Sequence, residues 1–443
     1  MRKNGWLRTP LLVFAAFAGG AITTQAVHAT TQAQSPYNPF DQVAATLHLI
    51  ENDHVDPVER TKIIDGAIKG MVAELDAHSA YMDAKEFALF NSDTSGKFAG
   101  IGIEVDFRDE RVIVLLPMEG SPADRAGIKP GDEIIAIDGK LVQGERVDKI
   151  IAMMRGPINS HVHLTLRRER QTQPIQVDLV RQEIHVAAIV GKRLDNDIAY
   201  LRIRQFQENT HGEMLETIKK IRSESSKPLR GVLLDLRNNP GGLIDEAEAV
   251  ADEMLDSGSI YSTRHRGRIM DEKKASSGGS LASLPIVTLM SEYSASSSEL
   301  VAGALQDNKR SLIVGAQSFG KGSVQSIYEL NNGAGMRLTT MRYYTPAGRS
   351  IQAQGITPDV RVEPAKPLQP GELIRESDLS GHLSAESATS GTAAAAIRST
   401  VVKAPENDSG PSREVPQDPT KSTDFTLATG YKQLLERAGI KTN

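Results

Sequence analysis

Apolar residues recur at helical spacing between about Phe40 and Phe90, at Val43, Leu47 and Ile50 and again at Ile63, Ile64, Ala67, Ile68, Met71, Val72 and Leu75. The Asp56-Pro57 step divides this stretch into two helices. From 96 to 182 the pattern changes to alternation, as in Arg111-Val112-Ile113-Val114-Leu115, and predicts a β-rich region. From Glu183 to about Pro358, apolar runs at 198–203, 231–236, 285–290 and 311–314 alternate with amphipathic stretches at 212–223, 243–255 and 298–307. This rhythm of strand and helix predicts an α/β core with mostly parallel strands. Beyond Pro364 the periodicity is lost. Residues 365–423, rich in Ser, Thr, Ala, Pro and Gly, are expected to be a disordered linker. Leu427, Tyr431 and Leu434 then mark a short closing helix.

The pattern therefore divides the chain into an N-terminal helical region (30–95), a β-rich insert (96–182), an α/β core (183–364), the linker and a C-terminal helix (424–443). Residues 1–29 read as a signal peptide. Arg2, Lys3 and Arg8 precede an apolar stretch, 11–22, that is short for a membrane span, and Val27-His28-Ala29 offers small residues at a cleavage site. An uncleaved anchor is the alternative, and either reading predicts an exported, periplasmic chain. The absence of cysteine excludes a thiol nucleophile, a disulfide framework and cysteine-bound zinc. A net charge of −5 without a basic run gives no nucleic-acid surface.

Within the β-rich region, Ser121-Pro122-Ala123-Asp124-Arg125-Ala126-Gly127-Ile128-Lys129-Pro130-Gly131-Asp132 and the strand and Asp138-Gly139 turn that follow resemble a PDZ domain. The resemblance places the peptide-binding loop at Gly100, Ile101, Gly102 and Ile103. Such a loop lets backbone N–H groups converge on a carboxylate, and the next strand offers an edge to an extended peptide.

Two motifs carry the chemistry: Ser291-Glu292-Tyr293-Ser294-Ala295-Ser296-Ser297-Ser298-Glu299 and Ser318-Phe319-Gly320-Lys321-Gly322-Ser323-Val324-Gln325. Together they resemble the nucleophile and base segments of the carboxyl-terminal processing proteases, a family of serine–lysine peptidases. Leu75-Asp76-Ala77-His78-Ser79-Ala80-Tyr81 and Leu234-Asp235-Leu236-Arg237-Asn238-Asn239-Pro240-Gly241-Gly242 match further family motifs, with Ala77 where proline is usual. The resemblance implies Ser296 as nucleophile, Lys321 as general base, Gln325 as the residue orienting the lysine amine, and an oxyanion site from the Ser297 N–H and either Gly241 or Gly242. Ser294, Ser297 and Ser298 are formal alternatives for the nucleophile. His78 reads as a turn residue, since nothing near it in sequence pairs with it.

The chemistry is consistent with these residue types. A serine hydroxyl needs a base within reach, and a lysine serves only where burial disfavours its charged form. Ser318-Phe319-Gly320-Lys321 also fits a penicillin-binding Ser-x-x-Lys motif, but two flanking glycines make a poor helix. The stretch from Gly315 to Lys321 approaches a P-loop, yet Gly322 stands where Ser or Thr is required. His161 and His163 have no third ligand in sequence.

The expected protein is thus a multidomain α/β serine endopeptidase that clips exported proteins near their C-termini through an acyl-enzyme, its PDZ domain recognising the substrate tail or regulating the site. The alternatives are a non-catalytic PDZ scaffold and a serine–lysine esterase or amidase. No metal or organic cofactor is expected. The expected partners are protein substrates with apolar C-termini, an adaptor protein, and further copies of the chain in a homodimer or higher oligomer.

Overall fold

The computed structural model describes residues 38–108, 110–169, 171–366, 373–385, 397–412 and 414–441. The expected signal peptide lies outside them. The chain separates into two compact units, one up to Gly70 and one from Met71 onward. The helix Asn38–Asp53 belongs to the first. The second holds every strand among the described residues.

Its centre is a seven-stranded sheet whose spatial order follows the chain: β1 (Ile189–Leu194), β2 (Ile198–Ile203), β3 (Gly231–Asp235), β4 (Ile286–Met290), β5 (Ser311–Gly315), β6 (Val360–Glu363) and β7 (Thr400–Lys403). β1 is antiparallel to β2, and every later pair is parallel. Helices α1 (Thr210–Ser223), α2 (Ile244–Asp252) and α3 (Ser297–Asp307) contribute to one core, and α4 (Phe425–Arg437) to the other. Alternation along β3 divides the strand between them. Val232 and Leu234 pack with Met214, Val250 and Val301, while Leu233 packs with Leu427 and Tyr431. All residues of β3 and β4 are buried, as expected of strands covered on both faces.

Parallel strands place the loops after β3, β4 and β5 along one edge of the sheet, where α/β folds form their crevices. These loops contain Asn239-Pro240-Gly241-Gly242, Ser296 and Lys321. A second, antiparallel sheet flanks them. Its strand Gly335–Tyr344 pairs with Ala80–Met82, Ser259–His265 and Ser323–Glu329. The strand Ser323–Glu329 begins two residues after Lys321, so this pairing fixes the exit of the lysine turn.

The PDZ-like region folds around its own core, with six strands between Ile103 and Val180 and the helices Pro122–Arg125 and Val147–Met154. The chain enters and leaves it through a two-stranded antiparallel ribbon, Lys97–Gly100 against Gln182–His185. No helix among the described residues is long and apolar enough to cross a membrane.

The disordered linker expected over 365–423 is corrected where those residues are described. β7 extends the central sheet in parallel register, Val360 opposite Thr400 and Glu363 opposite Lys403. The Asp195 N–H donates to Gln417 O at 3.0 Å, and the Gln417 amide donates to Arg193 O at 2.9 Å. Glu376 is fully buried. Backbone ladders and polar pairs hold these segments, with Val402, Ala404 and Val415 packed beside α4. Composition scores large apolar groups and therefore overlooks them.

Candidate active site

Ser296 occupies the N-cap of α3 with φ 56° and ψ −118°, a conformation that costs energy for any residue other than glycine. The surrounding serines differ in how their hydroxyls are used. Ser294 Oγ donates to Leu236 O at 2.9 Å, Ser297 Oγ to Gly242 O at 2.8 Å, and Ser298 Oγ to Ala295 O at 2.7 Å and Asn239 O at 3.0 Å. All three are fully buried, whereas Ser296 keeps 8 % of its surface exposed. The other serines thus bind this loop to the turn after β3, and Ser296 is the least buried of the four.

That turn lies directly against Ser296. Gly241 has φ 102°, and a Cβ there would stand 2.7 Å from Ser296 Cβ and 3.0 Å from Ser297 N. A Cβ on Gly242, at φ 138°, would meet Phe206 O at 2.0 Å. Both positions therefore require glycine for conformation and for space. The Gly241 N–H donates to Asn239 Oδ1 at 2.8 Å. Among the described residues the N–H groups of Gly242 and Ser297 meet no protein acceptor. The helix N-terminus at Ser297 adds a positive partial charge.

The turn is set from behind by a buried charge network. Arg237 donates to both oxygens of Asp235, at 2.9 Å from Nε and 2.7 Å from Nη2, and from Nη1 to both oxygens of Asp424 at 2.8 Å. Tyr200 Oη donates to Asp235 Oδ2 at 2.8 Å. Asp424 also caps α4 through Leu427 N at 2.9 Å. Desolvation opposes the Asp235 charge, but Arg237 overcomes it and holds the carboxyl below its usual range.

Lys321 is half-buried in a loop, not a helix, and a strand follows it. Burial and the Arg337 guanidinium lower its amine pKa, while Glu376, Glu299 and Asp76 oppose the shift. Its backbone N–H donates to Glu299 Oε2 at 2.9 Å, and the Ser296 N–H donates to the same oxygen at 2.7 Å. Glu299 Oε1 accepts from Gly320 N at 2.7 Å and from Ser318 Oγ. Burial pushes the Glu299 carboxyl up to about 7 against these four donors, which favour its charged form. Tyr343 Oη donates to Lys321 O and lies within hydrogen-bonding reach of the Ser296 side chain.

No hydrogen bond joins Ser296 Oγ to Lys321 Nζ among the described residues; the structure brings the two segments together through Glu299 and Tyr343. The Gln325 amide donates to Ser323 Oγ at 2.9 Å and Ser323 O at 3.3 Å, and makes no hydrogen bond to Lys321. Gly100, Ile101, Gly102 and Ile103 line a groove of about 240 Å³, closed by Val105, Ile151 and Met154.

Known proteins are similar to this chain over most of its length. Models of three families match the chain: peptidase family S41 over residues 197–362, the PDZ domain over 113–168, and the activating protease CtpB N-terminal domain over 15–86. A carboxy-terminal-processing protease of Bartonella bacilliformis is 38% identical over 421 residues, covering 91% of this chain and 90% of that protein. The chain belongs to the carboxy-terminal-processing protease family. It is a serine-type endopeptidase with a PDZ domain, which sets aside the scaffold and the esterase. A probable CtpA-like serine protease of Staphylococcus haemolyticus is 37% identical over 316 residues, 71% of this chain and 62% of that one. Among solved structures, a photosystem II D1 C-terminal processing protease aligns with 70% of this chain and 84% of its own at 29% identity and a TM-score of 0.45.

Sequence reasoning missed several residues of this processing-protease site. Glu299 closes the quoted serine run, but no role followed from its position. Tyr343, Arg337 and Glu376 lie outside both motifs. His78 reads as unpaired locally, yet its Nε2 lies 2.7 Å from Glu376 Oε2.

Proposed function

We propose that this endopeptidase is exported and cleaves proteins near their C-termini through an acyl-enzyme, with Ser296 as nucleophile and Lys321 as general base. The supporting observation is the pairing of Ser296, the least buried serine of its run and held at positive φ, with a desolvated lysine on a turn sharing the Glu299 carboxylate. A lysine held below its ordinary pKa has a larger neutral fraction to accept the serine proton. Serine oxygen then attacks the scissile carbonyl, and the oxyanion forms against the Ser297 N–H and the Gly241-Gly242 turn. The protonated amine passes its proton to the leaving nitrogen. Water, deprotonated by the same lysine, releases the acyl group. Gln325 reaches the lysine amine by turning its amide away from Ser323. The PDZ groove takes the substrate's apolar tail between the strand edge at Ile103 and Val105 and the helix face at Ile151 and Met154.

The test incubates the mature chain with an unfolded protein ending in an apolar tail, beside Ser296→Ala and Lys321→Ala. Cleavage near the C-terminus by the wild type, lost in both variants, is expected. Equal cleavage by all three would move the chemistry to other residues.

A further inference from the structure

The segment 373–385 lies across the lysine turn, and its anchor is a carboxylate. Glu376 has polar neighbours on both sides in the sequence, yet it is fully buried in the fold. Its Oε2 stands 2.7 Å from His78 Nε2, and its Oε1 accepts from Gln352 Nε2 at 2.7 Å. Gln352 Oε1 in turn accepts the N–H of Gly322, the residue after Lys321, at 3.0 Å. The Glu376 N–H donates to Phe319 O at 3.3 Å, and Arg375 Nη2 donates to Gln317 O at 3.3 Å. Farther along, Gly381 O accepts the Ala77 N–H at 3.2 Å, and Leu383 O accepts from Gln352 Nε2 at 3.0 Å. The strap therefore grips the turn at Gln317, Phe319 and Gly322, and it is held on its other side by the 76–79 turn.

We propose that Glu376 is a positioning residue for the processing reaction: it clamps the Lys321 turn between His78 and Gln352 and places one negative charge beside the lysine amine. The inference rests on the reading of Lys321 as base. A turn flanked by Gly320 and Gly322 has little stiffness of its own, and a base displaced by an ångström loses much of its rate. The charge acts on the proton balance. Around Lys321 and Glu376 stand Asp76 and His78 from the 76–79 turn, Glu299 from α3, and Arg337 and Tyr343 from the strand Gly335–Tyr344, while the strap itself carries Arg375, Asp378 and His382. Burial and Arg337 lower the amine's pKa, and Glu376 is the first of the carboxylates opposing them. Arg337 also ties back to this cluster, its Nε donating to His78 O at 2.9 Å.

The experiment measures kcat and KM for an unfolded protein substrate between about pH 5 and pH 10, where carboxyl, imidazole and amine groups titrate. It compares the full-length wild type with Glu376→Gln, Glu376→Ala and Lys321→Ala. Glu376→Gln keeps the shape and the bonds to Gln352 and Phe319 but loses the charge. Its plateau kcat is expected to stay within about threefold of wild type, while the acid limb of its kcat profile moves to lower pH. Glu376→Ala loses the clamp as well, and its plateau kcat is expected to fall by about tenfold or more at nearly constant KM. Rescue of that plateau by glutamine, together with the shifted limb, separates positioning from a purely structural role. An acid limb left in place by Glu376→Gln would overturn the proposal even if Glu376→Ala failed to fold. Lys321→Ala as active as wild type would instead bring down the base reading, and the proposal with it.

Discussion

The backbone N–H groups of Ser296 and Lys321 donate to one and the same oxygen, Glu299 Oε2, at 2.7 and 2.9 Å. The two segments thus share an acceptor inside the protein before any substrate arrives. The helix start and the glycine-flanked turn are held in register by a carboxylate rather than by contact between their own side chains.

Replacing that carboxylate is expected to uncouple them. In Glu299→Gln an NH₂ group stands in for one oxygen and cannot accept two N–H donors, so kcat should fall by roughly a hundredfold or more. The pH dependence has a definite sign. Burial raises this carboxyl from 4.5 to about 7, so its contribution to stability is complete below 4.5 and is lost as pH rises through about 7. Thermal melts should show the wild type losing stability over that window relative to Glu299→Gln.

Lys321 has the opposite linkage. Its pKa is lowered in the fold, so its contribution is present above the ordinary value of 10.5 and is lost as pH falls through the lowered one. Lys321→Met, apolar and of similar length, is expected to abolish cleavage and to raise Tm. The gain should be larger near pH 6 than near pH 9. Paired melts at the two values check it, and an equal gain at both would point to packing alone.

Asp424 links the closing helix to the turn beside Ser296. Asp424→Ala leaves one side of the buried Arg237 guanidinium unpaired and should cost about 3–5 kcal/mol. Asp424→Asn keeps an N-cap acceptor for α4 but loses the charge and one of the two oxygens that accept from Arg237. Urea midpoints are expected to rank wild type above Asn and Asn above Ala, and kcat should follow the same order.

In the PDZ groove, Ile151→Asp places a charge on the apolar face opposite Ile103 and Val105. KM for a substrate with an apolar tail is expected to rise about tenfold, while a tailless substrate is cleaved as before. Titration of each substrate separates tail binding from chemistry.

The layering of the core was legible because it is local. The runs at 231–236 and 285–290 and the amphipathic stretch at 212–223 read as strands and helix, and they fold so. The order of motifs also placed Ser296, Lys321 and the glycine turn on loops that the parallel sheet brings to one edge. The polar connections were not legible. His78 and Glu376 are separated by most of the chain, and Arg237 and Asp424 by the whole second half of the core. Such pairs leave no periodicity, and each partner alone is an ordinary charged residue. The segment around Glu376 was misread for the same reason: hydrogen bonds order it, and hydropathy does not register them.

The ribbon that joins the PDZ domain to the core has a practical corollary. Lys97 stands opposite His185, and Gly100 opposite Gln182, so the domain's two ends lie side by side across a single strand pair. A module with adjacent ends is a cassette. A short hairpin turn joining Gly100 to Gln182 would close the ribbon without its cargo. By the same geometry, another domain with neighbouring termini could be spliced there, giving a protease whose inserted domain is interchangeable.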